Sequence, residues 1–255
     1  MAFASKRMTH VDGKMHHLGT DEGDIVKTLI LTANMEEVRD IAAMLDDAKQ
    51  TGMYREYLTY TGSKDGVPLS VMSTGNGCMP MAIAVEELKH IGGKNIIKVG
   101  VGAAVQPGVK PGALMLAMGS VRGEGATLEY VNYQYPAVSD MGLMEQLADV
   151  AREMGEVPRT GIWRSHDAYY VESPYGRDAE EKIARWKSLG VELIEHETSS
   201  MFVVSSILGL RSAALYVAGE NYTDGTSLSE AELKERMKVC YAIAIEAAKR
   251  VNSNG

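Results

Sequence analysis

Two carboxylates and an imidazole stand together in Ile194-Glu195-His196-Glu197-Thr198-Ser199. The segment lies between a short apolar run and a longer one, where a strand hands over to a helix. Carboxylates in that position could accept hydrogen bonds from vicinal sugar hydroxyls, and a buried carboxylate needs such a partner. The plainer alternative is a helix N-terminus stabilised by acids. His196 could be a core histidine, a base or a ligand, and for a lone histidine the core role is the commonest. No His-Glu-x-x-His or other compact metal-ligand spacing occurs in the sequence, so neither a metal nor a cofactor is expected.

Other segments carry weaker signals. Ser73-Thr74-Gly75-Asn76-Gly77 is a glycine-rich turn between a strand and a helix. Its backbone N–H groups could cradle an anion or a sugar oxygen, although a simple tight turn needs the same glycines. Gly100-Val101-Gly102-Ala103-Ala104 permits close backbone approach but offers few donors. Asn221 has an amide suited to a nucleobase edge, and Glu220 beside it could face the same pocket. Both could equally be ordinary loop residues. His16-His17 is an adjacent pair near the N-terminus. The sequence has no Gly-x-Ser-x-Gly elbow, and neither cysteine has an evident neighbouring base.

These residues need elements to position them. Asp24–Thr32 reads as a buried strand, followed by a helix over Met35–Leu45. Tyr57–Tyr60 and Pro68–Met72 read as a hairpin turning at Lys64-Asp65-Gly66. Met79–His90 is an amphipathic helix ended by Gly92 and Gly93. Asn95–Val101 and Ala113–Ser120 read as strands, Met141–Met154 as a helix and Gly161–Trp163 as a short strand. Arg177–Leu189 is helical, Val191–Ile194 strand, Thr198–Leu208 helix and Ala213–Val217 strand. A closing helix spans Ser227–Val251, capped by Ser227 or Ser229, with Glu230 and Glu232 in its first turn. Strands and helices alternate without a linker, repeat or low-complexity block. That predicts one α/β domain over residues 21–255 around a largely buried mixed sheet, with residues 1–20 as an N-terminal arm. Ligands of such sheets bind outside the carboxyl ends of strands, which directs attention to the loops after Thr32, Ser73, Val101, Ile194 and Val217.

Bulk properties set limits. The chain has 255 residues, a size for one large domain or two small ones. A formal charge of −8 argues against nucleic acid or an anionic membrane as partner. Cys78 and Cys240 are the only cysteines, too few for a disulfide framework and suited to a reducing, cytoplasmic setting. Met1–Arg7 has no apolar core of a signal peptide. The apolar region Phe202–Gly219 is broken by Ser205, Ser206 and Arg211, which fits a buried helix and strand better than a membrane span.

In this order, the segments resemble the nucleoside phosphorylase family, and within it the uridine phosphorylase branch. The resemblance runs from about His17 to the last helix. It rests on Ser73–Gly77 with the helix Ile83–Leu88, on Gly100–Gln106 with Val109-Lys110-Pro111-Gly112, on Ser120-Val121-Arg122, on Tyr135-Pro136-Ala137 and on Glu195-His196-Glu197, where the family usually has Glu-Met-Glu. It implies a single-domain three-layer α/β sandwich with a mixed, partly barrel-like sheet flanked by helices. It implies a homo-oligomer, with a dimer as the minimum and a hexamer built as a trimer of dimers among the family's assemblies. It also implies reversible phosphorolysis of a nucleoside N-glycosidic bond through an oxocarbenium-like transition state. Residue by residue, Glu197 would bind the ribose hydroxyls with Glu195 and His196 lining the pocket, and Glu197, His196 and Asn221 would serve catalysis. His17 would reach the ribose of a neighbouring subunit. Arg55 would reach that subunit's phosphate. Gly102, Tyr169, Arg177, Glu220 and Tyr222 would surround the base.

The departures fall on the anion site. The family's Gly-Asp-Pro-x-Arg loop is Ala33-Asn34-Met35-Glu36-Glu37 here, so a glycine becomes Ala33 and an arginine becomes Glu37. The next strand carries Lys98 for an arginine and Val101 for a threonine, which loses bidentate capacity and a donor. An anion facing Glu37 in a partly buried site meets a repulsion of a few kcal/mol at an effective dielectric of ~20. Phosphate as co-substrate is therefore in question, and two alternatives stand beside phosphorolysis. One is a phosphate-independent nucleoside hydrolase on the same fold, with Glu37 or His196 as base. The other is a nucleoside-binding homologue without catalysis.

Overall fold

Thr28–Thr32 forms β1, and all five residues are buried. Burial on both faces follows from its central place: β1 lies between β4 (Val67–Ser73) and β5 (Asn95–Ala104), parallel to each. The computed structural model describes residues 13–253. The first twelve residues of the expected arm, including Met1–Arg7, lie outside the described residues.

In chain order the remaining elements are α1 (Met35–Ala42), β2 (Asp46–Tyr54), β3 (Tyr57–Lys64), α2 (Cys78–His90), β6 (Leu114–Gly123), β7 (Ala137–Val138), α3 (Met141–Glu153), β8 (Arg159–His166), α4 (Ala179–Ser188), β9 (Val191–Glu195), α5 (Thr198–Leu208), β10 (Arg211–Asn221), β11 (Thr226–Ser227) and α6 (Glu230–Ser253). Side-chain alternation along the strands feeds two cores. Leu29 and Leu31 join Met81, Val85, Phe202 and Val203 on the α2–α5 side. Ile30, Ile97 and Val99 join Val38, Leu147 and Ile243 on the α1–α3–α6 side. These are the three layers that the family resemblance implies.

The sheet also closes on itself. β10 pairs with β6, β6 with β8, β8 with β9, β9 with β5, and β5 again with β10, a ring of five strands. β5 makes this possible by changing partners along its length. Asn95 to Lys98 pair with β1, whereas Ala103 and Ala104 pair with β9. At the changeover Gly102 lies against Leu193: a Cβ there would sit 2.6 Å from a Leu193 methyl and 3.0 Å from the Ile194 carbonyl. Gly102 thus makes room for closure, and it is not among the residues that line the cleft described below.

Several elements differ from the sequence reading, three of them for identifiable reasons, while β7 and β11 were not expected and β11 takes Ser227 from the expected closing helix. β2 was not expected because Asp46–Tyr54 shows no alternation; it is an edge strand with most side chains in solvent. β8 is eight residues long, not three, because Arg164, Ser165 and His166 are polar yet buried. β10 runs on to Asn221, past the apolar run, where its edge pairs with β11. Of the two candidate caps for α6, Ser229 fills the role. Its backbone N–H and hydroxyl donate to Glu232 while the Glu232 N–H donates back, a reciprocal capping box. Among the described residues no helix is long and apolar enough to cross a membrane.

Candidate active site

The carboxyl ends of β1, β4, β5, β8 and β9 open into one cleft of about 480 Å³. Its lining includes Ala33, Asn34 and Glu37 after β1, Asn76 and Gly77 after β4, Gly100 and Val101 on β5, and Asp167 and Tyr169 after β8. His196 and Glu197 after β9 and Tyr216 on β10 complete it, with Leu233 of α6 at the edge. Six residues singled out from the sequence therefore meet here: Ala33, Glu37, Val101, Tyr169, His196 and Glu197.

The acidic pair divides its work. Glu195 is buried and turned into the protein, where it caps α5. One carboxylate oxygen accepts from the Glu197 and Thr198 N–H groups at 2.7 and 2.9 Å, and the other from the Ser165 and Thr198 hydroxyls. All this is the helix-terminus role, so Glu195 is not the sugar ligand that the resemblance implies. Burial, and then the neighbouring Glu197, raise its carboxyl above the usual range; the two hydroxyls work against them.

Glu197 faces the cleft. Its Oε1 accepts the Gly77 N–H at 3.0 Å, and its Oε2 accepts the Tyr216 hydroxyl at 3.2 Å. Gly77 has φ +101° and precedes α2 without a side-chain cap, so the glycine turn does cradle an anion, but one belonging to the protein. The Tyr216 ring lies across Gly100, where a Cβ would come within 2.9 Å of it, and tilts against Trp163 at 4.9 Å. Tyr216 was missed in the sequence because a tyrosine inside Ala213–Val217 reads as core. No sequence signal marks it: only the β5–β10 register brings Tyr216 opposite Gly100.

His196 gives Nδ1 to the His166 carbonyl at 2.8 Å. A carbonyl only accepts, so Nδ1 carries the proton and Nε2 of the neutral ring is left as an acceptor. The ring stacks on Tyr169 at 4.8 Å and 30°, and packs against His166 at 4.7 Å. Tyr169 and His196 thus form an aromatic wall.

His166 is buried. Burial, then the adjacent His196, push its imidazole down to about 4. The unfolded chain takes up a proton near the ordinary 6.5 while the folded state does not until about 4. Stability therefore declines as pH falls through that interval, by about 1–2 kcal/mol after allowance for solvent screening. Thermal melts across this interval are expected to show a steeper decline for the wild type than for His166→Asn. Equal slopes would remove His166 as the cause.

Glu37 lines the cleft, and Lys98 on β5 lies outside that lining but within reach of its charge. Lys98 has no exposed surface. Burial lowers its ammonium from the ordinary range, against the opposing pull of Glu197, Glu37 and Glu195. Glu37 is in the first turn of α1, whose cap Asn34 accepts the Glu37 N–H at 2.9 Å. Burial raises the Glu37 carboxyl, opposed by Lys98 and by the backbone at Asn34 and Ala33.

Several sequence candidates lie elsewhere. Asn221 is buried with its amide fully committed: Nδ2 donates to the Gln106 and Val109 carbonyls, and Oδ1 accepts from the Thr223 N–H and hydroxyl. It shapes a turn and has nothing left for a nucleobase or for catalysis. Tyr222, paired with Glu220, lines a separate groove of about 360 Å³ beside α4. Arg177 is exposed and outside the cleft lining. The base-binding role implied for these three is not supported by where they lie. Arg55 occupies the β2–β3 turn at φ +51°, exposed, with its guanidinium 5.4 Å from the Tyr54 ring. His17 Nδ1 and the N–H groups of His17 and Leu18 are held by the buried Glu87 carboxylate. Neither Arg55 nor His17 lines this chain's own cleft.

The model of the Phosphorylase superfamily matches residues 27–252. The chain belongs to the phosphorylase superfamily. It is 32% identical over 219 residues to a uridine phosphorylase of Thermococcus kodakarensis, an alignment covering 83% of this chain and 79% of that protein. It is also 32% identical over 228 residues to a guanosine phosphorylase of Halorubrum lacusprofundi, covering 88% and 92%. The structure of a uridine phosphorylase from Vibrio fischeri ES114, complexed with 6-hydroxy-1-naphthoic acid, superposes with a TM-score of 0.84 at 28% identity, covering 93% of this chain and 96% of that one. Within the superfamily the chain is thus a nucleoside phosphorylase-type α/β domain with a closed five-stranded ring, as the sequence resemblance implies. The relatives' names divide between a pyrimidine and a purine nucleoside, so they do not choose the base.

Proposed function

We propose that this phosphorylase-superfamily member is a pentosyltransferase-type enzyme that cleaves the N-glycosidic bond of a nucleoside, uridine-like in its base. The observation that carries this reading is Glu197. Its carboxylate faces the cleft with one oxygen on the Gly77 N–H and the other on the Tyr216 hydroxyl. Each oxygen keeps a lone pair for one further donor, which suits two neighbouring sugar hydroxyls. A fixed anion beside the sugar also stabilises positive charge developing at C1′ as the bond to the base breaks. The Tyr169–His196 wall offers the base a stacking face.

Cytoplasmic location is supported by two buried free cysteines. Self-association, a dimer at least, is supported by Arg55 and His17. Both stand outside their own chain's cleft, where residues donated to a neighbouring copy would be.

The test is base release from a panel of pyrimidine and purine nucleosides, each in the ribo and 2′-deoxy form, followed by chromatography. Release from at least one ribonucleoside is expected. No release from any of them, together with no nucleoside-induced rise in melting temperature, would sink the proposal.

A further inference from the structure

The cleft is lined by three carboxyl side chains, those of Glu37, Asp167 and Glu197, and among its described lining residues there is no lysine or arginine. Lys98 stands outside that lining, fully buried, and its charge acts on Glu197 and Glu37. One buried cation therefore answers three acids. With Glu37 protonated, Asp167 and Glu197 still outnumber it, so the cleft favours positive charge. Asp167 is the first residue after β8 and stands two before Tyr169, at the aromatic wall. One of its oxygens accepts the Gly125 N–H at 2.8 Å, which fixes the carboxylate and leaves the other oxygen for a ligand. A flat cation stacked on this wall meets a carboxylate at its edge and an aromatic ring on its face.

The leaving group points the same way. A neutral base departs with an extra electron pair, which a proton or a strong donor must meet. The side chains near the wall are already committed. His196 spends its Nδ1 proton on the His166 carbonyl, and the Tyr216 hydroxyl donates to Glu197. Asn221 donates to the Gln106 and Val109 carbonyls. The Tyr169 hydroxyl lies in the plane of the ring that stacks, so it does not point at an atom of a stacked base. Asn34, Glu37 and Asn76 follow β1 and β4, which β5 separates from β9. A base that leaves without a proton needs none of these groups.

We propose that the cleft also cleaves nucleosides whose base is a quaternary cation, a pyridinium or an N-alkylated azole, and that Asp167 selects them by their charge. This further activity rests on the nucleoside-cleaving reading above. In the step, the C1′–N bond breaks and its electron pair goes to the ring nitrogen, cancelling the positive charge. The base leaves neutral and takes up no proton. The acceptor oxygen, from phosphate or water, bonds to C1′, and its proton goes to solvent. Positive charge thus passes from the base beside Asp167 to the sugar beside Glu197. Asp167 is a specificity-determining residue: it holds the charge of the substrate, whereas Glu197 meets the charge of the transition state.

The experiment uses the full chain, with N-ribosylpyridinium and uridine as probes and base release followed by chromatography. Wild type is expected to release pyridine, with a KM that rises several-fold from low salt to about 0.5 M salt as the charge of Asp167 is screened. The KM for uridine should not follow it. Asp167→Asn keeps an oxygen for the Gly125 N–H. It is expected to raise the KM for N-ribosylpyridinium about tenfold with little loss of kcat, because the charge it removes holds the ground state. The ratio of kcat/KM for the cation to that for uridine should fall about as much, and Asp167→Glu should restore most of it. Uridine cleavage without pyridine release overturns the proposal and leaves the broader reading standing. Pyridine release without uridine cleavage upholds it. An unchanged ratio in Asp167→Asn overturns it, and release from neither probe sinks both readings. If Asp167→Asn fails to fold, the salt series decides: a KM for N-ribosylpyridinium that does not rise with salt overturns the proposal.

Discussion

Glu197→Gln is expected to lower kcat/KM for nucleoside cleavage by about 10²–10³-fold, the range seen when one preorganised electrostatic contact to a transition state is removed. Most of the loss is expected in kcat, since a neutral amide can still hydrogen-bond the ground-state sugar but cannot stabilise an oxocarbenium-like charge. The fold should tolerate the change. The amide oxygen can keep the Gly77 N–H, and the Tyr216 hydroxyl can turn to accept from the amide nitrogen. Steady-state kinetics beside a thermal melt separate the two effects. A variant that melts like wild type and retains its kcat/KM would remove Glu197 from the site.

The second large effect concerns stability, with consequences for the cleft wall. Arg164 and Glu172 form a bidentate pair at 2.5 and 2.7 Å, with side chains only 10% and 9% exposed. The guanidinium lies 3.9 Å from the Trp186 ring and fills the space beside Gly123, where a Cβ would strike it. Glu172 belongs to the loop that carries Tyr169, so the pair fastens the wall of the cleft to β8 and α4. Arg164→Met leaves a buried carboxylate unpaired and is expected to cost about 3–5 kcal/mol. The double variant Arg164→Met/Glu172→Leu removes both charges and should recover most of that loss. Denaturant unfolding of the singles and the double measures the cycle. Additive losses in the double would mean that the pair is not coupled.

Acid adds a check on the same pair. Burial pushes the Glu172 carboxyl up, but the hydrogen bond and charge of Arg164 outweigh it, and the net direction is down from the ordinary 4.5. The contribution of the pair is present above that value and is lost as pH falls through the lowered one. In Arg164→Met this part of the acid sensitivity should disappear.

Much of the site was legible in the residues. Glu197 could be placed because two carboxylates between an apolar strand and an apolar helix must fall at the carboxyl end of a strand. Ala33, Glu37, Lys98 and Val101 could be identified as one altered subsite because their family counterparts share a ligand. What failed depended on side-chain direction. Glu195 and Glu197 are two residues apart, yet one caps α5 and the other faces the cleft. Asn221 has the right type and place on β10 for a base ligand, but the carbonyls of Gln106 and Val109 reach its amide first. Arg177 was matched by position after the loop that the Arg164–Glu172 pair ties down, and Tyr222 in the turn that Asn221 shapes; no local pattern encodes either.

The sequence alone determined the α/β alternation and the buried strands, which follow from periodicity and burial propensity, both local properties. The reversal of charge at the anion site was legible only through the family resemblance. Only the tertiary structure decided that β5 closes a ring with β9 and β10 and that Gly77 and Tyr216 hold Glu197. It also decided that buried Lys98 and half-buried Glu37 feel each other's charge without a hydrogen bond between them. Those facts depend on contacts between residues tens to more than a hundred positions apart. Their energies come from desolvation and hydrogen-bond geometry, which exist only once the chain has brought them together.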